Sequence, residues 1–289
     1  RYLRVWWEVD NNKIDNYWRR FSKGGQYSRY YYPIYLLINW GRESQDIAME
    51  SGARIQGRAL YGQPGITWPW LTSKGFNPRL LPSNTIFANI SPNLALQEDD
   101  IYPMLGFLAS NLASDLLDKI TPSRNYTVEQ VNNLPADHVV KGKLVEHLTK
   151  QIVDLKIKID SFDEISPYFN AGLISEACFD KEYKRFSNLI ETSFNLYVEL
   201  DREIQFEFND IVSEARNIDK DILSNLFQSK EITANYFAKL ILSFCFGALM
   251  GRWNQTDTSQ EPNHLVIPTV PPALRGTNIG TVSYEVQGN

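Results

Sequence analysis

Asp99-Asp100-Ile101-Tyr102-Pro103-Met104-Leu105-Gly106-Phe107-Leu108 is the stretch at which the apolar pattern of this chain changes its period. From here apolar residues recur at helical spacing, which predicts one helix over 99–120 with Asp99 or Asp100 placed to cap it. Its predicted buried face consists of Ile101, Leu105, Leu108, Leu112, Leu116 and Ile120. This helix separates two regions of different secondary structure and therefore decides the fold.

Residues 1–90 have the pattern of β-structure. Short aromatic or β-branched runs, separated by Gly, Pro, Asn and Ser, predict strands within 3–9, 31–40 and 85–90. The segment Tyr61-Gly62-Gln63-Pro64-Gly65 is typical of a turn.

The region after 120 has a helical pattern. Thr127 and Gln130 have the spacing of a capping box for a short helix that Pro135 stops. Three longer helices are predicted, near 144–159, 180–215 and 232–250. Their apolar positions include Leu144, Leu148, Ile152, Leu155 and Ile159 in the first, and Ile204, Phe208, Ile211 and Ala215 in the second.

The predicted fold class is therefore α+β, with a β-rich N-terminal subdomain followed by a mainly helical region. We expect a β-rich domain closed by a helix over 1–135, a helical region over 136–260, and an extended tail containing Pro and Gly over 261–289. Because the sequence begins at Arg1, we interpret it as a piece of a longer protein.

Charge is distributed unevenly along the chain. Residues 1–90 contain twelve Lys/Arg and six Asp/Glu, a net charge of +6, whereas the remaining residues contain 17 and 28, a net charge of −11. Six of the seven Trp residues also lie before residue 90. Local positive charge facing phosphate matters more for DNA contact than the charge of −5 on the whole chain. The basic, aromatic first third is therefore compatible with DNA binding.

A series of short motifs gives the most specific functional signal. In chain order they are Phe21-Ser22-Lys23-Gly24-Gly25-Gln26-Tyr27, Pro64-Gly65-Ile66-Thr67-Trp68-Pro69, Phe76-Asn77-Pro78-Arg79-Leu80-Leu81-Pro82, Ile86-Phe87, the apolar helix near 99–120, Tyr126-Thr127-Val128 and Leu134-Pro135. Together they resemble the C-terminal specificity region of bacterial adenine-specific DNA methyltransferases, notably the PglX-like enzymes of BREX phage defence and the type IIG restriction–modification methylases.

The resemblance implies target recognition on double-stranded DNA, next to an adenine-N6 methyltransferase domain of the same polypeptide that uses S-adenosylmethionine. It also implies a bacterial cytoplasmic location, possible contact with other defence-system proteins, and no membrane partner. Two cysteines, Cys178 and Cys245, fit a reducing compartment.

The chemistry of a methyltransferase is missing from these residues. A flipped adenine is held by an Asn/Asp/Ser-Pro-Pro-aromatic loop, but the one Pro-Pro pair here, Pro271-Pro272, lies between Val270 and Ala273. Neither a GxGxxG loop nor a typical zinc-ligand spacing is present. Glu182-Tyr183-Lys184 has the spacing of some nuclease motifs, but we interpret it as a solvated helix face. No catalytic, cofactor-binding or metal-binding residue is therefore predicted in these 289 residues.

The candidates for DNA contact are basic residues, two glycines and one tyrosine. Two adjacent glycines let the backbone approach a phosphate, and arginines contact phosphates or base edges. The candidates are Lys23, Gly24, Gly25, Tyr27, Arg29, Arg54, Arg58 and Arg79. For Trp68, Trp70, Tyr27 and Tyr30 to Tyr32, packing is favoured over base stacking. Two alternatives remain open: a protein–protein scaffold formed by the acidic helices, and a carbohydrate-binding module.

Overall fold

The computed structural model describes residues 2–41, 45–50, 55, 57–72, 74–120, 125–136, 142–170, 179–207 and 230–249. Its strands are β1 Leu3–Val5, β2 Trp18–Ser22, β3 Leu36–Asn39, β4 Gly65–Thr67, β5 Arg79–Leu81, β6 Thr85–Phe87 and β7 Asn93–Ala95. Its helices are α1 Gln45–Ala48, α2 Glu98–Leu108, α3 Asn111–Ile120, α4 Val128–Asn132, α5 Lys143–Asp160, α6 Phe179–Glu207 and α7 Lys230–Leu249. The predicted α+β class, with strands before the helices, is confirmed.

The strands form two small sheets. The first has the order β1-β3-β2-β6, in which β2 and β6 are parallel and the other pairs are antiparallel. The second is antiparallel, with the order β5-β4-β7. The backbone of Tyr30, which follows β2 in the chain, pairs beside Arg79 of β5, since its N–H donates to Pro78 O at 2.8 Å and its carbonyl accepts from Leu80 N at 2.9 Å.

The predicted strands exist but are shorter than their apolar runs. The run over 3–9 continues beyond β1 as a 3₁₀ helix, Trp6–Glu8, and the run over 31–40 is a strand only in β3. The Trp6 indole donates to the carbonyl of Ile165, 159 residues away, at 2.9 Å. Aromatic side chains in these runs serve tertiary packing, which a strand pattern cannot distinguish from pairing within a sheet.

The single helix predicted over 99–120 is wrong in one respect, because α2 and α3 are separated at Ala109 and Ser110. The Ser110 hydroxyl donates to Phe107 O at 2.6 Å and accepts from Ala113 N at 3.1 Å. The break shifts the phase of the buried face, so α3 buries Ala113 and Leu117. Ile120, predicted to lie on that face, is 46% exposed.

The predicted N-terminal cap is correct for α4 and wrong for α2. The Thr127 hydroxyl accepts from Gln130 N and the Gln130 side chain accepts from Thr127 N, which confirms the capping box. Gln97 is the N-cap residue of α2 in place of Asp99 or Asp100. The two aspartates lie in the first turn, where their charge still complements the helix dipole.

The first of the longer helices, α5, begins and ends within one residue of its predicted limits, whereas α6 and α7 adjoin residues outside the described ranges. In α5 the buried face includes Val145, Leu148 and Ile152, whereas Leu144 is 44% exposed. Phe208, Ile211 and Ala215, which belonged to the predicted second stripe, lie outside the described residues, as does the tail over 261–289.

One hydrophobic core crosses the predicted boundary at residue 135. Ile66, Trp68 and Phe76 from the β-rich part belong to the same buried cluster as Ile152 of α5 and Leu200 of α6. The β-rich part and the first long helices are therefore packed together. The three-domain division stays a prediction.

Candidate nucleic-acid interface

The segment 23–27, called here the glycine loop, leaves the first sheet at the end of β2. Gly24 has φ +65° and Gly25 has φ +123°, backbone conformations that L side chains rarely adopt. A Cβ on Gly25 would lie 2.5 Å from Cε1 of Tyr32, so the tyrosine ring fills the space where a side chain would stand. The Gly24 N–H donates to Ser91 Oγ at 2.5 Å. Both glycines are required by this local geometry.

Arg79 of β5 supports the glycine loop from the interior. Its Nη1 donates to Gly24 O at 3.4 Å, and its Nη2 donates to Gln26 O at 3.2 Å and to Asn77 Oδ1 at 2.9 Å. The guanidinium carbon lies 4.7 Å from the centre of the Tyr32 ring. One arginine therefore holds two carbonyls of the loop and stacks on the ring that limits Gly25.

The Arg79 side chain is a cation in the protein interior. The residue is 3% exposed, and burial lowers its pKa to about 10 while Tyr32 acts in the opposite direction. It remains protonated at neutral pH because that pKa is still well above 7. No carboxylate forms an ion pair with it in the described part of the chain. Among the described residues, its charge therefore has no carboxylate counterion behind the loop.

Two of the predicted basic residues are exposed. Lys23 lies at the start of the glycine loop, and Arg58 lies in a 3₁₀ helix, Arg58–Leu60. Arg58 is close to Tyr61, whose backbone N–H donates to Arg58 O at 3.2 Å.

The rings of Trp40, Tyr61 and Phe87, all half-buried, form an aromatic cluster. The Tyr61 ring is 5.5 Å from that of Trp40 and 4.8 Å from that of Phe87, measured between centroids. Phe87 pairs with Ser22 in the register of β2 and β6. The cluster therefore adjoins the strand end from which the glycine loop departs.

Arg29 is a buried residue, 5% exposed, and it contacts helices instead of the surface. Its Nη1 donates to Ala109 O at 2.9 Å and to Tyr197 Oη at 3.3 Å, and its Nη2 donates to Ser114 Oγ at 3.0 Å. Burial lowers the pKa of Arg29, but Tyr27, Tyr197 and Tyr30 raise it, and the net shift is upward. The side chain therefore stays charged and joins the β-rich part to α3 and α6.

The remaining candidates for DNA contact are Tyr27, the two glycines of the glycine loop, and Arg54. Tyr27 is half-buried and is one of the tyrosines that raise the pKa of Arg29. Gly25 is exposed and Gly24 is partly exposed. Arg54 lies outside the described residues. The structure thus brings Lys23, Gly24, Gly25 and Tyr27 together on one loop, with Arg79 beneath it.

The packing interpretation of the aromatic residues is confirmed for most of them. Trp68 is 1% exposed and its Nε1 donates to Tyr126 O at 2.9 Å, while Tyr30 and Tyr31 are 2% and 4% exposed. Trp70 differs, with 44% exposure. The supporting residues Tyr32, Ser91 and Asn77 were not among the sequence candidates. Asn77 stands two residues before Arg79 in one of the quoted motifs, but nothing local signals Ser91, which lies 67 residues from its partner.

The described residues were also compared with what a nucleobase pocket, a metal site, a nuclease motif and a membrane span require. A depression lined by Lys23, Gly25, Tyr32 and Arg79 encloses about 20 Å³, room for a water molecule but not for a nucleobase. No group of three or more His, Cys, Asp or Glu in the described ranges could hold a metal ion. Glu182-Tyr183-Lys184 lies within α6, as expected, but Glu182 is 7% exposed and not solvated. No described helix is long and apolar enough to span a bilayer.

Comparisons with known proteins give two relatives. The adenine-specific methyltransferase PglX of Lacticaseibacillus casei (strain Zhang) is 28% identical, over 53% of this chain and 14% of that protein. The adenine-specific methyltransferase BrxX of Escherichia coli O9:H4 (strain HS) is 23% identical, over 88% of this chain and 23% of that protein. No family model matches the chain. The chain is therefore similar in sequence to a minor part, less than a quarter of the length, of two adenine-specific methyltransferases.

Proposed function

We propose that this chain recognises a DNA target for an adenine-specific N6 DNA methyltransferase of a BREX or restriction–modification defence system. The observation that carries the proposal is the similarity to BrxX over 88% of the chain, in a sequence that has no Asn/Asp/Ser-Pro-Pro-aromatic motif. A segment related to a methyltransferase but without its base-holding loop fits a specificity role better than a catalytic one. Methyl transfer from S-adenosylmethionine belongs to a catalytic domain beyond these residues.

The surface geometry supports this role at the glycine loop. Lys23 and Gly25 are exposed on a loop whose conformation is fixed from inside by Arg79 and Tyr32. A rigid loop loses little conformational entropy when it binds. Lys23, the loop backbone and Arg58 contact phosphates and set the register of the protein on the duplex, and nearby side chains read base edges.

Arg29 and Arg79 have a different role in this proposal from the exposed residues. Both are almost fully buried and donate to protein oxygen atoms. They shape the contact surface without forming it. The acidic helical region, through its shared core with the β-rich part, holds the loop in position relative to the catalytic domain.

The test is fluorescence anisotropy of the 289-residue chain with a mixed-sequence duplex at low and near-physiological salt. Binding that weakens steeply with salt is expected, because each phosphate contact releases counterions. Absence of binding at low salt would reject a DNA-binding role for this chain alone. A stable complex with another defence-system protein that forms without DNA would then point to a scaffold.

A protein-docking role is the second candidate, and one observation favours it. The last helix, α7, carries a row of exposed apolar side chains at helical spacing, with Leu242 56%, Phe246 66% and Leu249 79% exposed. Exposed apolar rows of this kind often form interfaces. Replacing Leu242 and Phe246 with Ser should abolish capture of a defence-system protein while leaving duplex binding intact, if this second role exists beside the first.

A further inference from the structure

The backbone of the glycine loop has a defined orientation relative to Arg79. The carbonyls of Gly24 and Gln26 both point inward to its guanidinium. In a trans peptide the carbonyl and the following N–H point in opposite directions, and the described chain has no cis peptide bond. The N–H groups of Gly25 and Tyr27 belong to those same two peptide units. They therefore point away from the interior, toward the exposed side of the loop.

Gly25 and Tyr27 lie two residues apart on the loop, and Gly25 is exposed whereas Tyr27 is half-buried. Neither the Gly25 nor the Tyr27 N–H has an acceptor among the described residues. Because a backbone N–H requires an acceptor, both are available to a ligand in place of water.

The charges around the loop favour an anion. The Arg79 guanidinium is buried behind it without a carboxylate partner in the described ranges, and the ammonium group of Lys23 is on the exposed side. A buried cation without a counterion gains free energy when an anion approaches. The two N–H groups belong to peptide units that are not adjacent, so they act as separate donors. Separate donors suit successive oxygen atoms of a polyanionic strand.

We infer that the glycine loop is a phosphodiester-binding site in which the Gly25 and Tyr27 backbone N–H groups donate to phosphate oxygens beside Lys23, with Arg79 as the residue that positions both donors. This inference deepens the proposed DNA recognition and rests on it for the identity of the ligand. The shared chemistry is a phosphate oxygen, which a nucleic-acid backbone or free phosphate could supply.

The direct test uses NMR on the chain labelled with ¹⁵N-glycine and ¹⁵N-tyrosine. The two probes are a mixed-sequence duplex and inorganic phosphate. The duplex should move the amide signals of Gly25 and Tyr27 together, and high concentrations of inorganic phosphate should move the same two signals weakly. The Gly24 amide, which donates to Ser91, and the Gly75 amide, on a different loop, are internal controls that should move little.

The outcomes separate this inference from the proposed function. Duplex binding that leaves both amides unmoved overturns the phosphate site and preserves DNA recognition. Movement with inorganic phosphate but no duplex binding supports an oxyanion site and overturns DNA recognition. Unmoved amides with both probes, together with no duplex binding, reject both.

A substitution tests the positioning role of Arg79. Arg79→Lys keeps the charge but loses the planar fork that reaches both carbonyls. It should weaken duplex binding about tenfold, the equivalent of one charge-assisted contact, and should remove the joint shift of the Gly25 and Tyr27 amides. A folded Arg79→Lys chain with parental affinity and parental amide shifts would overturn the role. If the variant does not fold, Lys23→Ala and the NMR titration of the parent chain still decide the site.

Discussion

The Arg29 guanidinium donates a hydrogen bond of 2.9 Å to the carbonyl of Ala109, the residue that follows the last turn of α2. This carbonyl accepts from an arginine that lies 80 residues earlier in the chain, at the break between α2 and α3. Asp201 of α6 also contacts this break, because its Oδ1 accepts a hydrogen bond from Asn111 N at 2.8 Å. The kink is therefore the point where the β-rich part, α3 and α6 are joined by polar contacts.

Arg29→Met should destabilise the protein by about 3 kcal/mol, because it removes several donors from a buried network whose acceptors then lack partners. The free energy of unfolding from urea titration measures the loss. Arg202→Met is the matched control, since Arg202 is an exposed arginine on α6, and it should change stability by less than about 0.5 kcal/mol. Equal effects for the two variants would show that Arg29 is not a joint between the two regions.

Gly25→Ala should cost more stability than Gly75→Ala. Both glycines have positive φ, +123° and +100°, so both substitutions introduce backbone strain of about 1–3 kcal/mol. Only Gly25 also faces a side chain, because its Cβ would lie 2.5 Å from the Tyr32 ring, whereas Gly75 has open space. The difference in melting temperature between the two variants isolates the clash. Adding Tyr32→Ala should reduce that difference, and no reduction would contradict the role of the ring.

The stability of the protein should fall as pH rises from about 4 to 7, in part because of Asp160. Burial raises the pKa of Asp160 from 3.8 to about 7, Lys156 lowers it and Asp163 raises it. Across that window the folded state keeps a proton that the unfolded state releases, so each increase in pH favours unfolding. Burial likewise raises the pKa of Asp163 and Asp201, with the same sign.

Asp160→Asn should therefore flatten the pH profile of the melting temperature. The melting temperature of the variant should rise relative to that of the parent as the pH is raised from 5 to 8, since the asparagine carries no charge to desolvate. Asp154→Asn, at an exposed position of the same helix, serves as the control and should follow the parent profile. A constant difference between Asp160→Asn and the parent at all pH values would rule out the proposed titration.

Lys23→Ala should weaken duplex binding and lower the slope of log K against log salt by about 1, since one phosphate contact releases about one counterion. Lys184→Ala removes an exposed lysine of α6 from the acidic half of the chain and should leave both affinity and slope unchanged. Anisotropy titrations at several salt concentrations provide both quantities. If both variants lose equal affinity, the binding is non-specific attraction to net charge and not contact at the glycine loop.

By itself, the sequence determined the class of fold, the limits of α5, and the capping box of Thr127 and Gln130. These features depend on neighbours within a few residues, so periodicity and local hydrogen bonding are written into the chain. Only the tertiary structure decided which arginines are buried, because Arg29 meets Ala109 and Arg79 meets Gly24 across 80 and 55 residues. The break between α2 and α3 was also decided there, since Asn111 satisfies its hydrogen bonds partly through Asp201 and Tyr197 of α6. Contacts between distant residues fix such positions, and no local pattern records them.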